Sequence, residues 1–148
     1  MKTLKVDAIR NGTVIDHIPG GQVLRVLNIL KPRKNDVIMA GMNFPSQAMG
    51  QKDIIKIEGR ELTADEVNSI ALIAPRAKVN IIRDFKVVKK GTVEVPDAFE
   101  GLVRCPNPNC ISNAEPIVSR FQVVKRDPVT LCCGYCERVY QTSEIEYL

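Results

Sequence analysis

All five cysteines of this 148-residue chain fall in its last third, and four of them sit in two short loops. Cys105 and Cys110 form C-x4-C, and Cys133 and Cys136 form C-x2-C. Two thiolate pairs on tight loops are what a tetrahedral, sulfur-preferring cation such as Zn2+ takes. Pro106 and Pro108 stiffen the first loop, and Gly134 in the second offers the positive φ that would turn backbone amides toward sulfur. Disulfides fit poorly, because the cysteine count is odd, the spacings are short and no secretion signal opens the chain. A set of four thiolates also admits an iron–sulfur cluster, but the expectation is one structural Zn2+ per chain. Four thiolates leave no open position for catalysis, so the ion's purpose is folding: about 50 residues bury too little apolar surface to hold a fold alone. Cys132 is the spare. In the strand-like VTLCC, Leu131 and Cys133 share one face and Cys132 points to the other, and pairing Cys132 with Cys136 would give a less usual x3 spacing.

Charge divides the chain at the same place. Residues 1–96 hold 16 Lys/Arg against 10 Asp/Glu, whereas residues 97–148 hold 5 against 7. The switch falls at Pro96-Asp97, which sets two expected domains, 1–96 and 97–148. A basic first domain suits a phosphate-bearing partner. No apolar run approaches the roughly 20 residues of a membrane span. MKTLKVDAIR lacks the apolar core of a signal peptide, so a cytoplasmic protein with no membrane association is expected.

Within the first domain, LKVDAIR and TVIDHI flank Asn11-Gly12, a turn signal between β-rich runs. QVLRVLNIL reads as a largely buried helix of about ten residues, closed before Pro32. VIMAG is followed by a loop holding Pro45, Ser46 and Gly50, then by the strand KDIIKIEG. There Lys52, Ile54, Lys56 and Glu58 take one face, and Asp53, Ile55 and Ile57 the other. Thr63 and Glu66 form a capping box with a Leu62–Val67 staple, opening a helix whose stripe is Val67, Ile70, Ala71, Ile73 and Ala74 and which ends at Pro75. AKVNIIR and FKVVKKGTVEV are further strands. The order β, α, β, β, α, β plus a strand gives an α+β fold: a ferredoxin-like, split βαβ domain followed by a small all-β zinc-binding domain.

Motifs of catalysis are missing: GxxxxGK[ST], GxGxxG, GxSxG and HExxH do not occur. Asp16-His17 is the one acid–imidazole pair, and a lone His at a strand end is more often structural than a base. The lysines say more. Lys52 and Lys56 share a strand face and Lys89-Lys90 lie near the end of another strand. Like charges so placed repel unless an anion is shared, and a nucleotide triphosphate would supply one. Nucleic acid is not expected as a partner: the zinc-binding half is the acidic one, and aromatic residues are only 5% of the chain.

Several long stretches occur in order between positions 6 and 137: VDAIRNGTVIDHIP, MNFPSQAMGQKDIIKIE, ALIAPRAKVNIIRDFKVV, CPNPNCISNAEP and CGYCE. Through them the chain resembles the regulatory-chain family of aspartate carbamoyltransferase. The resemblance implies a non-catalytic subunit of pyrimidine biosynthesis. Its first domain would bind CTP, ATP or UTP, its zinc domain would dock on the catalytic chain, and regulatory chains would pair as homodimers. Position by position, it implies that Asp7, Ala8 and Ile9 help select the base. Asp16 and Lys56 would hold the ribose, His17 and Lys90 the phosphates, with Lys56 also near phosphate. Asn80, Ile82, Phe85 and Val87 would line the base pocket, and Lys52 would aid a second nucleotide or metal. Asn109, Glu137 and Arg138 match positions that touch the catalytic chain. Asp7 is one methylene shorter than the family's usual Glu, and Phe85 lacks the hydroxyl of its usual Tyr. Stacking on Phe85 survives this change; a hydrogen bond from its hydroxyl does not.

Overall fold

Runs rich in β-branched residues with partial alternation of apolar and polar side chains read as strands in the first part of the chain, and the computed structural model, which describes residues 8–148, places a sheet there. The chain divides into two units, Met1–Glu94 and Val95–Leu148. In the first, β1 (Gly12–Pro19), α1 (Val23–Leu30), β2 (Val37–Ser46), β3 (Gly50–Glu58), α2 (Ala64–Asn68), β4 (Lys78–Arg83) and β5 (Lys86–Thr92) follow in order. The strands form one antiparallel sheet in the order β2-β3-β1-β4-β5. Thr13, Ile15, Ile55, Ile57, Val79 and Ile81 are buried on one face, together with α1's Val23, Val26 and Leu30 and α2's Val67. The opposite face carries the half-exposed Val14, Lys56 and Asn80.

Three local readings need correction; a fourth, the turn at Asn11-Gly12, concerns the run LKVDAIR, most of which lies outside the described residues. Gly12 is needed for close approach: at φ 142°, an added Cβ would stand 1.9 Å from the Ile57 carbonyl oxygen. Asn11 is committed to other turns, its carbonyl accepting from Gly59 N–H (2.8 Å) and its side-chain oxygen from Asp84 N–H (3.2 Å). The Pro45–Ser46 segment is strand rather than loop; β2 is an edge strand, where a missing N–H costs no ladder bond. Helix α2 is short. Its capping box forms as read, with Thr63 and Glu66 exchanging bonds. After Asn68, however, Ser69 hydroxyl donates to the Glu66 carbonyl (2.5 Å), and the chain tightens into turns that still bury Ile70, Ala71, Ile73 and Ala74. Phe85 is a turn residue and not part of a strand. Asp84 (φ 49°) and Phe85 (φ 63°) form the two-residue connection of the β4–β5 hairpin, both left-handed as such a tight turn requires.

The second unit is built from short strands: β6 (Ala98–Glu100), β7 (Val103–Arg104), β8 (Arg120–Arg126), β9 (Val129–Cys133), β10 (Val139–Gln141) and β11 (Glu146–Tyr147). They pair as β10-β9-β8-β6 and β11-β7. A four-residue helix, α3 (Ile111–Ala114), follows Cys110, so the unit is mostly but not wholly β. Its apolar centre is Phe99, Val103, Phe121, Val129, Leu131 and Ile145. No helix among the described residues is long and apolar enough to cross a membrane.

Candidate functional site

The cysteine loops fold where strands end. Cys105 follows β7, Cys110 precedes α3, Cys133 is the last residue of β9, and Cys136 lies in the turn before β10. The four Sγ atoms lie within 4.8 Å of one another, with Cys105–Cys136 and Cys110–Cys133 each at 3.7 Å. Metal–sulfur bonds of ~2.3 Å in a tetrahedron give sulfur–sulfur edges of ~3.8 Å, so the cluster fits a single ion of that kind. Cys132 stays out of it. Along β9 Val129, Leu131 and Cys133 are buried while Thr130 and Cys132 are half-buried, and the Cys132 thiol lies near the Cys133 and Glu137 carbonyls (3.7 and 3.6 Å).

Burial sets the thiols' ionisation, and backbone amides oppose it. Burial pushes Cys105 up to about 12, against the Asn107 N–H, and raises Cys133 against the N–H groups of Cys136 and Tyr135. At Cys110 burial is outweighed by the Ser112 hydroxyl and N–H, which lower the thiol. At Cys136 burial is outweighed by Arg138 N–H and the Asn107 side chain, bringing the thiol down to about 7. Every sulfur thus meets an amide donor, the arrangement that stabilises bound thiolates. The turn chemistry differs from the sequence reading. Gly134 has no positive φ; it is needed because Arg120 O and Cβ would lie 3.2 and 3.3 Å from an added Cβ. The left-handed residue is Glu137 (φ 63°), between Cys136 and Arg138. The sequence reading also missed the supports of the first loop. Asn107 is buried and accepts from Asn109 N–H (3.0 Å), and Asn113 Nδ2 donates to the carbonyls of Cys105 (2.8 Å) and Asn107 (2.7 Å). Asn109, Glu137 and Arg138 are exposed beside the thiols.

In the first unit, strand register collects residues that sequence spacing could only scatter. Val14 pairs with Lys56 on one side and Asn80 on the other, and Asn80 pairs with Lys90, so Lys56, Val14, Asn80 and Lys90 form one row across the open face. One step along, Gly12, Ile82 and Val87 form a second row, with Ile82 buried as an apolar floor. Phe85 is exposed at the tip of the same hairpin, and its N–H donates to the Arg10 carbonyl (2.9 Å), next to buried Ile9 and exposed Ala8. Asp7 lies outside the described residues. In the other direction Asp16 pairs with Lys78, a cation the sequence reading passed over although it alternates with Asn80 and Ile82. Lys52 Nζ bonds Asp16 at 3.1 and 3.2 Å. His17 is a bulge residue with φ 61°; its buried Nδ1 stands 3.6 Å from Asp16 and has no hydrogen-bond partner. The face therefore runs from an apolar end to a basic end, with an acceptor, Asp16, at the basic end.

These two arrangements coincide with two matched family models. Residues 4–94 match the allosteric domain of the aspartate carbamoyltransferase regulatory chain, and residues 97–146 match its metal binding domain. The chain belongs to the aspartate carbamoyltransferase regulatory chain family. Regulatory chains of Pyrococcus abyssi, Thermococcus kodakarensis and Methanothermobacter thermautotrophicus are 54, 50 and 52% identical to it. These alignments cover 98, 97 and 97% of this chain and 97, 96 and 93% of the relatives. Membership of the regulatory-chain family makes this a regulatory subunit rather than a catalytic one, built as an allosteric domain followed by a metal-binding domain.

Proposed function

We propose that this regulatory chain binds CTP, ATP or UTP on the open face of its first unit and transmits the binding to the catalytic chain of aspartate carbamoyltransferase. The observation that carries the reading is the row Lys56, Val14, Asn80, Lys90, flanked by the apolar Ile82 floor and by the Lys52–Asp16–His17 end. A base would lie toward Ile9, Asn80, Ile82, Phe85 and Val87, the ribose by Asp16 and Lys56, and phosphates toward His17, Lys56 and Lys90, with Lys52 serving a second nucleotide or metal. The sheet order supports a ferredoxin-like, split βαβ description of this unit. Cys105, Cys110, Cys133 and Cys136 would hold one structural Zn2+, which when bound cross-links the two loops. Asn109, Glu137 and Arg138 would then be presented to the catalytic chain. The chain would act as a cytoplasmic homodimer. Control follows from linkage: a nucleotide that favours one quaternary state shifts the population by its difference in affinity, and the catalytic ligands act back on it to the same extent.

The test is calorimetric titration of CTP and ATP into the metal-loaded chain and into Lys56→Ala. The expected result is saturable binding that weakens at least tenfold in the variant, about 1.4 kcal/mol. Intact chain that takes up no nucleotide, alone or with the catalytic chain, would overturn the reading.

A further inference from the structure

One charged side chain in the first unit is wholly buried and takes no part in the proposed site. Asp53, in the middle of β3, has 0% exposure. Its two oxygens accept backbone N–H bonds from distant segments, Oδ2 from Val23 at 2.9 Å and Oδ1 from Asn43 at 2.8 Å. Val23 is the first residue of α1, whose own N-cap residue Gln22 makes no side-chain cap bond, so Asp53 caps that helix from across the fold. Asn43 is in a bulge of β2.

Register shows what these bonds hold. Between Gly41↔Ile54 and Phe44↔Lys52, β2 carries an extra residue opposite Asp53. Between Ile15↔Ile55 and Ile18↔Asp53, β1 carries an extra residue opposite Ile54. Neighbouring residues of β3 therefore face one bulge on each side, and each bulge holds a non-glycine residue in the left-handed region, His17 and Asn43, both at φ 61°. Such conformations persist only where surrounding structure fixes them. Lys52, next to Asp53, pairs with both flanking strands through Pro19 and Phe44 and reaches Asp16. Gly20 closes the same cluster, since an added Cβ would meet Gln51 Cβ at 3.0 Å and Asn43 Oδ1 at 3.1 Å.

We infer that Asp53 is the positioning residue of the phosphate end of the site: from beneath the sheet it fixes the paired bulges that set where Lys52, Asp16 and His17 stand on the open face. The inference rests on the nucleotide reading for its function, but its geometry can be tested without it. Asp53→Asn keeps the shape, removes the charge and turns one acceptor into a donor facing an N–H. In the metal-loaded chain it is expected to weaken CTP and ATP at least tenfold while weakening CMP and AMP much less, so that the gain from added phosphates shrinks. A merely structural loss would lower both alike and would overturn the inference, as would an unchanged ratio. His17 is the only histidine in the chain, so its ring resonance in NMR reports the β1 bulge alone. It is expected to move in Asp53→Asn and to stay put in Val67→Ala, on α2. If the intact chain takes up no nucleotide, the nucleotide reading falls, and an unmoved His17 resonance in Asp53→Asn would then overturn the positioning role by itself. Should Asp53→Asn fail to fold, Gly20→Ala presses on the same cluster from outside; it is expected to shift the His17 resonance and lower the triphosphate-to-monophosphate ratio in the same direction. No change in either would overturn the inference.

Discussion

Among the described residues, twenty-one apolar side chains are buried in the first unit, while the second buries six, its cysteines aside. The first closes around a five-stranded sheet and two helices; the second has strands of two to seven residues and a four-residue helix. Where the first unit uses side-chain burial, the second uses four converging sulfurs held by backbone amides. The contrast teaches that the two halves rest on different chemistry: one on packing, the other on a cluster of sulfurs placed where an ion could be held. It also follows that a treatment can unfold one and spare the other.

The sharpest way to break that contrast is to remove a ligand. Cys110→Ser, or chelation of the metal, is expected to unfold the second unit while leaving the first intact, since structural zinc sites contribute on the order of 10 kcal/mol. Two-dimensional amide NMR would show the Val95–Leu148 resonances collapsing with those of the sheet unmoved; a dispersed second unit without metal would refute the ion-dependent account. Next in size are matched truncations. Leu131→Ala and Ile55→Ala, both at 0% exposure, should each cost about 2–5 kcal/mol. Only Leu131→Ala, two residues from Cys133, should also lower metal affinity, which a competition titration with a chromophoric chelator would detect.

Smaller effects separate the units by pH. Glu66 is held below the usual carboxylate range by the Thr63 N–H, against burial, and then by Arg60; Asp36 is lowered by the Arg33 N–H and, against burial, by Arg60. Arg60 bonds both, at 3.2 Å to Asp36, with its side chain 10% exposed. Because the folded-state values lie below the unfolded ones, the stability they add is complete above about pH 5.5, clear of both unfolded values, and is lost as pH falls through the folded values. Glu66→Gln should flatten the acid limb of the first unit's melting-temperature profile, and Thr63→Ala should cost about 1 kcal/mol at neutral pH. The smallest expected change is at Glu137. Glycine there relieves the left-handed strain, so Glu137→Gly should leave stability and metal affinity within a few tenths of a kcal/mol. It should nevertheless weaken assembly with the catalytic chain in analytical ultracentrifugation if Glu137 is kept for contact.

Much of this was legible in the sequence because the signals are local. The capping box, each of the two short cysteine loops and the alternation of Lys52 with Lys56 are written within a few residues. The features missed are set by partners far along the chain. Asp53 reads as a polar residue on the Ile55–Ile57 face of its strand until Val23 and Asn43, thirty and ten residues away, bring it their N–H groups. The bulges at His17 and Asn43 exist only as register shifts against β3. Residue type alone points to Gly134 for the left-handed turn, whereas its constraint is the approach of Arg120 from β8 and the left-handed residue is Glu137.

Cys133 is at once the last rung of β9 and a member of the four-sulfur cluster, and its N–H is bonded to the Arg138 carbonyl across the loop (2.9 Å). A bound ion would therefore be fastened directly into the central ladder of the second unit, where β9 pairs with both β8 and β10. Opening that ladder would require releasing the ion, so the amides of β8 and β9 should exchange with solvent deuterium at a rate governed by metal dissociation. Protection at Leu131 and Cys133 then becomes a clock for occupancy, with which the lifetime of the loaded subunit can be timed inside an assembled enzyme.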